Sequence, residues 1–501
     1  MPIVAQRDRF GARGAALILA GQWTKYSIQL TSVVLLSRIL GPQQYGLIAI
    51  VLGIFNIALT FSDFGLSMSA LQAQEVSRQQ HSNLLWVNLL LGVILCAVFN
   101  ALARPIASFY DQPAVGPVCH ALSPVFVLVG AAAQYRVALT RDGRYGSIAL
   151  ADIGASILAL ATAVTLGLHE FGATALIAQQ IVSAAVGLAL LFISNPWWPS
   201  RPRRGVGTAK FITLGGTLFF TYFVNSISSN VDAIALGRYQ PLTTVGLYNR
   251  SLQLARQPLI QVMTPLTALA MPRANRAGSD PGQRLQALET LHRPVAFASA
   301  AALSLLVAAG GPIAALVLGG QWTSAGSIIA VLAFGGILQA GGQITYWAML
   351  ASGNAKVLLL TGILPRVLFM ICVFPLAHFG VLAVAMCVTA QQLLLLSIGV
   401  AWALPKTGIP LSRATRAAVG PILPFLAFSI AVLVLKTLHA HSVVILPVSP
   451  DLLGSLAWSC LVCGLLAVSK PTRAAFFAPA QTLIHTLRTH RHPTQSPTPN
   501  S

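Results

Sequence analysis

Asp232, Arg238, Arg250 and Arg256 stand within Ser229–Pro258, in a chain whose surroundings are long apolar runs. Lys25 is set among apolar residues in the same way, and Arg366 directly follows Pro365 in another such run. A charge near the centre of a bilayer costs at least about 2.5–3.5 kcal/mol. Cations placed there line a wet cavity, pair with acids, or reach to an interface along their aliphatic stems. The cavity is the preferred reading for Lys25 and Arg256, with Asp63 and Asp232 as candidate acid partners. Arg250 lies a few residues from a loop, so both readings stay open for it, as they do for Arg366. Arg38 and Arg238, in loops, favour the interface. The chemistry such residues offer is electrostatic: they attract an anion and hydrogen-bond to it.

Other chemistries find little support. There is no Walker A pattern and no G-x-S-x-G, and Asp63-Phe-Gly65 spells a kinase triad with no other kinase element around it. Only Asp63, Asp152 and Asp232 lie in or at the edges of apolar segments, so paired carboxylates for acid–base work are missing. Cys460 and Cys463 form a C-x-x-C inside an apolar segment, where two small helical residues are the simpler reading. His439-x-His441 and His490-x-His492 fall in a loop and a tail and make poor metal sites. The six cysteines imply no disulfide framework. The pattern is that of a conduit rather than an enzyme, with no cofactor and no metal expected.

The elements that must position these cations are membrane helices. The chain has 501 residues, of which 55% are hydrophobic and 8% charged, against roughly 25% charged in soluble domains. Fourteen apolar segments of bilayer length can be read: 14–36, 46–66, 84–103, 117–138, 148–168, 172–194, 211–236, 245–270, 294–318, 326–350, 357–377, 380–403, 417–437 and 452–469. Arg7, Arg9 and Arg13 precede the first segment like a signal-peptide n-region, but no clear cleavage site follows, so 14–36 reads as a span. The net charge is +20. With the N-terminus in the cytoplasm, the outer loops hold only Arg38, Arg104, Arg238 and Lys436, and the other loop cations fall inside. Positive charge thus marks cytoplasmic loops rather than nucleic-acid binding, and both termini are expected in the cytoplasm.

An internal repeat organises the spans. Ser37–Leu47 and Gly237–Leu247 align without gaps, matching Arg38 with Arg238, Gly46 with Gly246 and Leu47 with Leu247. The intervening six spans preserve orientation, so the halves are expected to be parallel repeats. Gln22, Lys25, Gln29 and Ser32 share one face of the first span. Their equivalents Tyr222, Asn225, Ser229 and Asp232 share a face of the seventh, and Asn249, Gln253, Arg256, Gln257, Gln261 and Thr264 stripe the eighth. The expected organisation is an N-lobe over 1–200 (six helices), a Pro/Arg-rich linker over 201–210, and a C-lobe over 211–404 (six helices). Two further helices over 405–470 and a partly disordered cytoplasmic tail over 471–501 follow. The fold class is an all-α polytopic membrane protein with two lobes around a central cavity.

Ser-Arg-Ile-Leu-Gly-Pro-Gln-Gln-Tyr-Gly-Leu-Ile (37–48) and Phe-Ser-Asp-Phe-Gly-Leu (61–66) resemble the start of the Wzx-type polysaccharide flippases, members of the multidrug/oligosaccharidyl-lipid/polysaccharide exporter superfamily. Asp232–Arg238, Val245–Arg250, Pro265 and Met271-Pro272 resemble that family's second half, with Gln240-Pro241 departing from an expected Leu-Gly. Within the family the pattern is similar to the colanic-acid and xanthan exporters. The resemblance implies a bacterial inner-membrane flippase for exopolysaccharide biosynthesis. Its substrate would be an oligosaccharide repeat unit on undecaprenyl diphosphate, carried by alternating access from the cytoplasmic to the periplasmic leaflet. The polymerase and export machinery would be its neighbours. Lys25, Gln29, Asn225, Ser229, Asn249, Arg250, Gln253, Arg256 and Arg366 would then line the cavity, with guanidinium forks for phosphate and amides for sugar hydroxyls. Asp63 or Asp232 would couple a proton or sodium gradient. A drug/cation antiporter of the same superfamily is the alternative, although it would want an anionic cavity. A membrane polymerase or ligase is a third, although it would want a long external loop.

Overall fold

The computed structural model describes residues 12–278, 280–440 and 449–468, and among these every regular element is helical. The first helices are α1 (Ala12–Ile39), α2 (Pro42–Asp63), α3 (Leu66–Gln72), α4 (Arg78–Ala101) and α5 (Ala103–Tyr110). They are followed by α6 (Val115–Leu122), α7 (Pro124–Arg141), α8 (Tyr145–Leu168), α9 (Ala173–Ser194) and α10 (Ala209–Tyr239). The remainder are α11 (Leu242–Arg276), α12 (Pro281–Leu318), α13 (Gly326–Ser352), α14 (Ala355–His378), α15 (Val381–Ile398), α16 (Leu404–Lys406), α17 (Leu411–Val419), α18 (Leu423–Ala440) and α19 (Pro450–Val468).

Within the described residues, each of the fourteen expected segments falls on one of these helices or on a consecutive pair, with 380–403 running past α15 through a π-helical turn, Gly399–Ala403. Among the described residues, nine helices are long and apolar enough to cross a membrane, or ten if α17 and α18, bent by 64°, make one span. The helices α1, α10 and α11, of 28, 31 and 35 residues, lie outside that number and carry the polar stripes. The protein is a multi-pass membrane protein. The tail 471–501, with His490 and His492, lies outside the described residues, as does His441.

Local chemistry sets the boundaries. Gly41 is extended and Pro42 opens α2, where a missing N–H costs nothing. Ser77 and Gln80 form a reciprocal capping box at the start of α4. Phe64 and Gly65 both turn left-handed between α2 and α3, with φ of 46° and 69°. Asp63 steadies this turn by accepting from the Ser67 amide at 3.1 Å and from the Asn88 side chain at 3.2 Å. The kinase-like triplet is therefore a helix-to-helix corner. Prolines 258, 265 and 272 inside α11 each remove a helical hydrogen bond and free a carbonyl one turn back.

The described chain packs as two compact units. The first comprises residues up to Arg250 with Ala314–Ser324 and Phe369–Val384; the second comprises Ser251–Ile313, Ala325–Leu368 and the residues from Ala385 on. In the first unit α8 turns a buried stripe of Ala151, Ala155, Ala159 and Ala163 toward its neighbours. Small residues let helices approach closely where lipid offers no hydrophobic drive to associate.

The repeat is visible as paired backbone geometry in the first unit. The helices α1 and α10 end at Ile39 and Tyr239, and α2 and α11 begin at Pro42 and Leu242. A Cβ on Gly46 would lie 1.8 Å from the Leu242 carbonyl oxygen, and one on Gly246 would lie 1.9 Å from that of Pro42. The two matched glycines thus cross each other through equivalent partners, and only a residue without a side chain fits at either. The Ser37–Pro42 motif has a second role. Carbonyls at a helix C-terminus lack intrahelical donors. Those of Ser37 and Leu40 accept from the Gln321 side chain, and Ser37 also accepts from the Trp322 indole at 2.8 Å. Arg38 donates to the Leu316 carbonyl, so this cation is spent on backbone rather than reaching for a headgroup.

The second unit is organised by α13. Its Ile344 and Trp347 are buried with Leu285, Leu288, Leu396 and Leu404, and the Trp347 indole donates to Thr267 at 2.8 Å. Gly341 meets the Ala418 carbonyl, where a Cβ would lie 2.8 Å away.

Candidate functional site

The first cationic group is built on α1, α7 and α8. Gly21 packs against Ala149, so the helices α1 and α8 nearly touch. One turn further along each, Lys25 meets Asp152, with Nζ 3.1 Å from Oδ2. Arg136 on α7 reaches the same carboxylate, with Nη2 2.5 Å from Oδ1 and Nη1 3.3 Å from Oδ2. Lys25 and Arg136 are 48% and 44% exposed and Asp152 is 20% exposed, so the cluster is open on its cationic side. Two cations share one acid and leave a net charge of +1. The partner of Lys25 is therefore Asp152, not Asp63 or Asp232: Asp63 holds the α2–α3 corner, and Asp232 accepts from the Tyr248 hydroxyl at 2.6 Å. Asp152 and Lys25 are 127 residues apart, a pairing that only helix packing creates.

The rest of the α1 stripe divides. Gln29 is exposed, whereas Ser32 is buried and accepts from Gln179 at 2.8 Å. On α10 the equivalent face presents Asn225 and Ser229 exposed, and Asp232 is buried at 4% exposure. The adjoining face of α10 packs on α2, where Asn56 donates to Asn230 at 3.3 Å.

On α11, Asn249 and Gln253 are half-buried. Arg250 is buried, and its guanidinium lies 3.7 Å from the centre of the Tyr45 ring. That is a cation–π seat, in which the aromatic face takes the place of water. The sequence held no signal for this partner, since Tyr45 reads there as a motif residue of another segment.

The second cationic group lies in the second unit. Arg256 on α11 is half-buried, and its Nε is enclosed with no hydrogen-bond partner among the described residues. Arg366 on α14 is near enough for the two positive charges to act on each other, and Tyr346 of α13 shares their surroundings. Arg366 folds back to donate from Nη1 to the Gly362 carbonyl at 2.9 Å, over a glycine whose Cβ would lie 2.8 Å from that nitrogen. Among the described residues neither arginine has a carboxylate partner. Two guanidiniums 110 positions apart, in low-dielectric surroundings and without an acid, form a site that an anion would stabilise. Among the described residues no group of three His, Cys, Asp or Glu side chains could hold a metal. Cys460 and Cys463 are free and exposed on α19.

The family model described as polysaccharide biosynthesis protein matches residues 35–327. Among curated relatives, the lipopolysaccharide biosynthesis protein WzxC of Escherichia coli (strain K12) is 24% identical over 63% of this chain and 64% of its own length. The succinoglycan biosynthesis transport protein ExoT of Rhizobium meliloti (strain 1021) is 23% identical over 62% of each chain. The amylovoran biosynthesis protein AmsL of Erwinia amylovora is 26% identical over 58% of this chain and 76% of its own. The match thus spans less than two thirds of WzxC and ExoT. Among solved structures, the lipid II flippase MurJ in an inward closed conformation superposes with a TM-score of 0.71 at 12% identity, over 93% of this chain and 99% of that one. An inward-facing multidrug resistance MATE transporter superposes with a TM-score of 0.60 at 14% identity, over 79% and 98%. The fold is shared with both.

Proposed function

Since the chain belongs to the polysaccharide biosynthesis protein family, whose model covers more than half of it, we propose that it is a flippase for a lipid-linked oligosaccharide. The substrate we assign is an oligosaccharide repeat unit on undecaprenyl diphosphate, turned from the cytoplasmic to the periplasmic leaflet of a bacterial inner membrane. The reading includes fourteen crossing helices, both termini in the cytoplasm, two repeat lobes over 1–200 and 211–404 around a cavity, and hand-over to polymerase and export machinery. It involves no bond making, so the protein is no enzyme in this scheme.

One observation carries the reading: the charges of Arg256 on α11 and Arg366 on α14 act on each other, and among the described residues neither has a carboxylate partner. A diphosphate offers several anionic oxygens to guanidinium forks, in charge-assisted hydrogen bonds roughly twice as strong as neutral ones. Lys25 supplies a weaker second contact, because Asp152 already neutralises part of it. Asn225, Ser229, Gln29, Asn249 and Gln253 suit sugar hydroxyls. Arg250, seated on Tyr45, joins the path when that seat opens. Asp232, buried beside Tyr248, is the acid we assign to ion coupling in preference to Asp63, whose carboxylate holds a turn. A drug/cation antiporter would need acids where this protein has arginines.

The test is complementation of a deletion strain with Arg256→Ala and Arg366→Ala. Loss of polymer, build-up of lipid-linked repeat units in the inner leaflet and normal membrane levels are the expected result. Normal polymer in the double variant would sink the assignment, and resistance to cationic drugs conferred by the wild type would favour the antiporter.

A further inference from the structure

A second cationic site lies away from Arg256 and Arg366, where the first turns of α12 run beside α17. The two helices wall a cleft of about 500 Å³. Gln286, Glu289 and Arg293 recur on one face of α12, and Arg413 and Arg416 line the α17 side. The single acid, Glu289, is bound by Arg293 at the i+4 position, and Arg413 donates to the Gly282 carbonyl at 3.0 Å. Arg416 is exposed to the cleft. With three arginines against one glutamate, the cleft carries an excess of two positive charges.

Its level along the helices can be read from their lengths. Helix α12 has 38 residues and a kink at Ala309, whereas a hydrocarbon core of about 30 Å needs only about 20 residues. All of the charged residues of α12, Arg284, Glu289 and Arg293, fall in the stretch Pro281–Arg293, the part composition assigns to the outside of the core. The short helix α17 turns 64° away from α18, buries Ala414, Ala417 and Ala418, and keeps Ser412 and Arg416 outward. That is the form of a helix lying along an interface rather than crossing it. Trp402, one turn before Lys406 and capped by its ammonium at 4.6 Å from the ring centre, marks the same boundary. Leu411, which opens α17, and Leu423, which opens α18, are 52% and 56% exposed, and the polar groups of the cleft are all cationic or neutral apart from Glu289.

We propose that this cleft binds the phosphodiester headgroup of an anionic phospholipid, with its acyl chains lying along the exposed leucines that open α17 and α18. The site is independent of the translocation reading: it would hold whatever the transported substrate is. Bound lipid would fix α17 against α12, and through Ala418 against Gly341 of α13.

The full-length protein in phosphatidylcholine nanodiscs, titrated with phosphatidylglycerol and followed by native mass spectrometry, tests it. Wild type is expected to retain phosphatidylglycerol in preference to phosphatidylcholine. Arg293→Gln with Arg416→Gln should weaken that retention roughly thirty-fold, from the attraction two basic groups exert on an anionic surface. Glu289→Gln, which removes the competing anion, should strengthen it. Melting in pure phosphatidylcholine should be the same for wild type and both variants, which separates lost binding from lost folding. Equal retention of both lipids by wild type, or unchanged retention in the double variant, would overturn the proposal. So would inorganic phosphate at millimolar levels displacing phosphatidylglycerol, because the site would then be one for a free anion.

Discussion

The first repeat, α1–α2, and the second, α10–α11, start from the same backbone and carry their charge differently. Both end the first helix and begin the second at matched positions, and Gly46 and Gly246 meet across the pseudo-symmetric crossing. In the first repeat the cation is Lys25, mid-helix and tied to Asp152. At the equivalent position of the second repeat stands Asn225. There the cations have moved to α11, as Arg250 on an aromatic ring and Arg256 beside Arg366. The glycine crossing is thus common to the two segments, whereas their polar stripes differ. One half holds a cluster in which one acid offsets one of two cations, and the other a pair without a carboxylate partner among the described residues, which is the stronger attractor of an anion.

The largest effect is expected at the shared part. Gly46→Leu or Gly246→Leu drives a side chain into a facing carbonyl and should cost about 3 kcal/mol or more, seen as loss of folded protein by size-exclusion chromatography. If only one of the two is disruptive, the pseudo-symmetry is not a packing constraint. Next come the arginines. Arg256→Ala and Arg366→Ala should each lower transport about tenfold or more, from the loss of one charge-assisted contact of about 1.5–3 kcal/mol. Arg366→Lys should restore little, because an ammonium lacks the fork. A smaller effect is expected for Lys25→Ala, near fivefold, at about 1 kcal/mol. A double-mutant cycle of Lys25 with Asp152 should give a coupling of about 0.5–1 kcal/mol that shrinks with added salt, since these side chains are partly exposed. A coupling of several kcal/mol would mean that the cluster is dry and would erase the contrast. The smallest effect is Gly362→Ala, which pushes the Arg366 guanidinium off its own helix. A two- to threefold change in transport, about 0.5 kcal/mol, is expected.

Much of this was legible beforehand. Every expected apolar segment falls on a helix because a bilayer imposes one requirement, that backbone polar groups be satisfied within the segment. That requirement is written in composition. The repeat was legible for a related reason: Gly46 and Gly246 have no substitute where two backbones touch. The acid partner of Lys25 was not legible. Asp63 and Asp232 were the acids nearest the motifs, yet each is engaged by a local neighbour, Ser67 in one case and Tyr248 in the other. Asp152 had no motif around it.

By itself, the sequence determined that the chain crosses a membrane as helices, that Gly46 and Gly246 stand in matched segments, and that its charges are mostly cationic and sparse. These follow from residue types and their order, since hydrophobic length and periodicity act locally along the chain. The tertiary structure alone decided which cations are neutralised. Neutralisation depends on distance: Lys25 meets Asp152, and the charges of Arg256 and Arg366 act on each other, although the members of each pair are separated by more than a hundred positions. Packing of small residues between helices sets those distances, and no local signal records it.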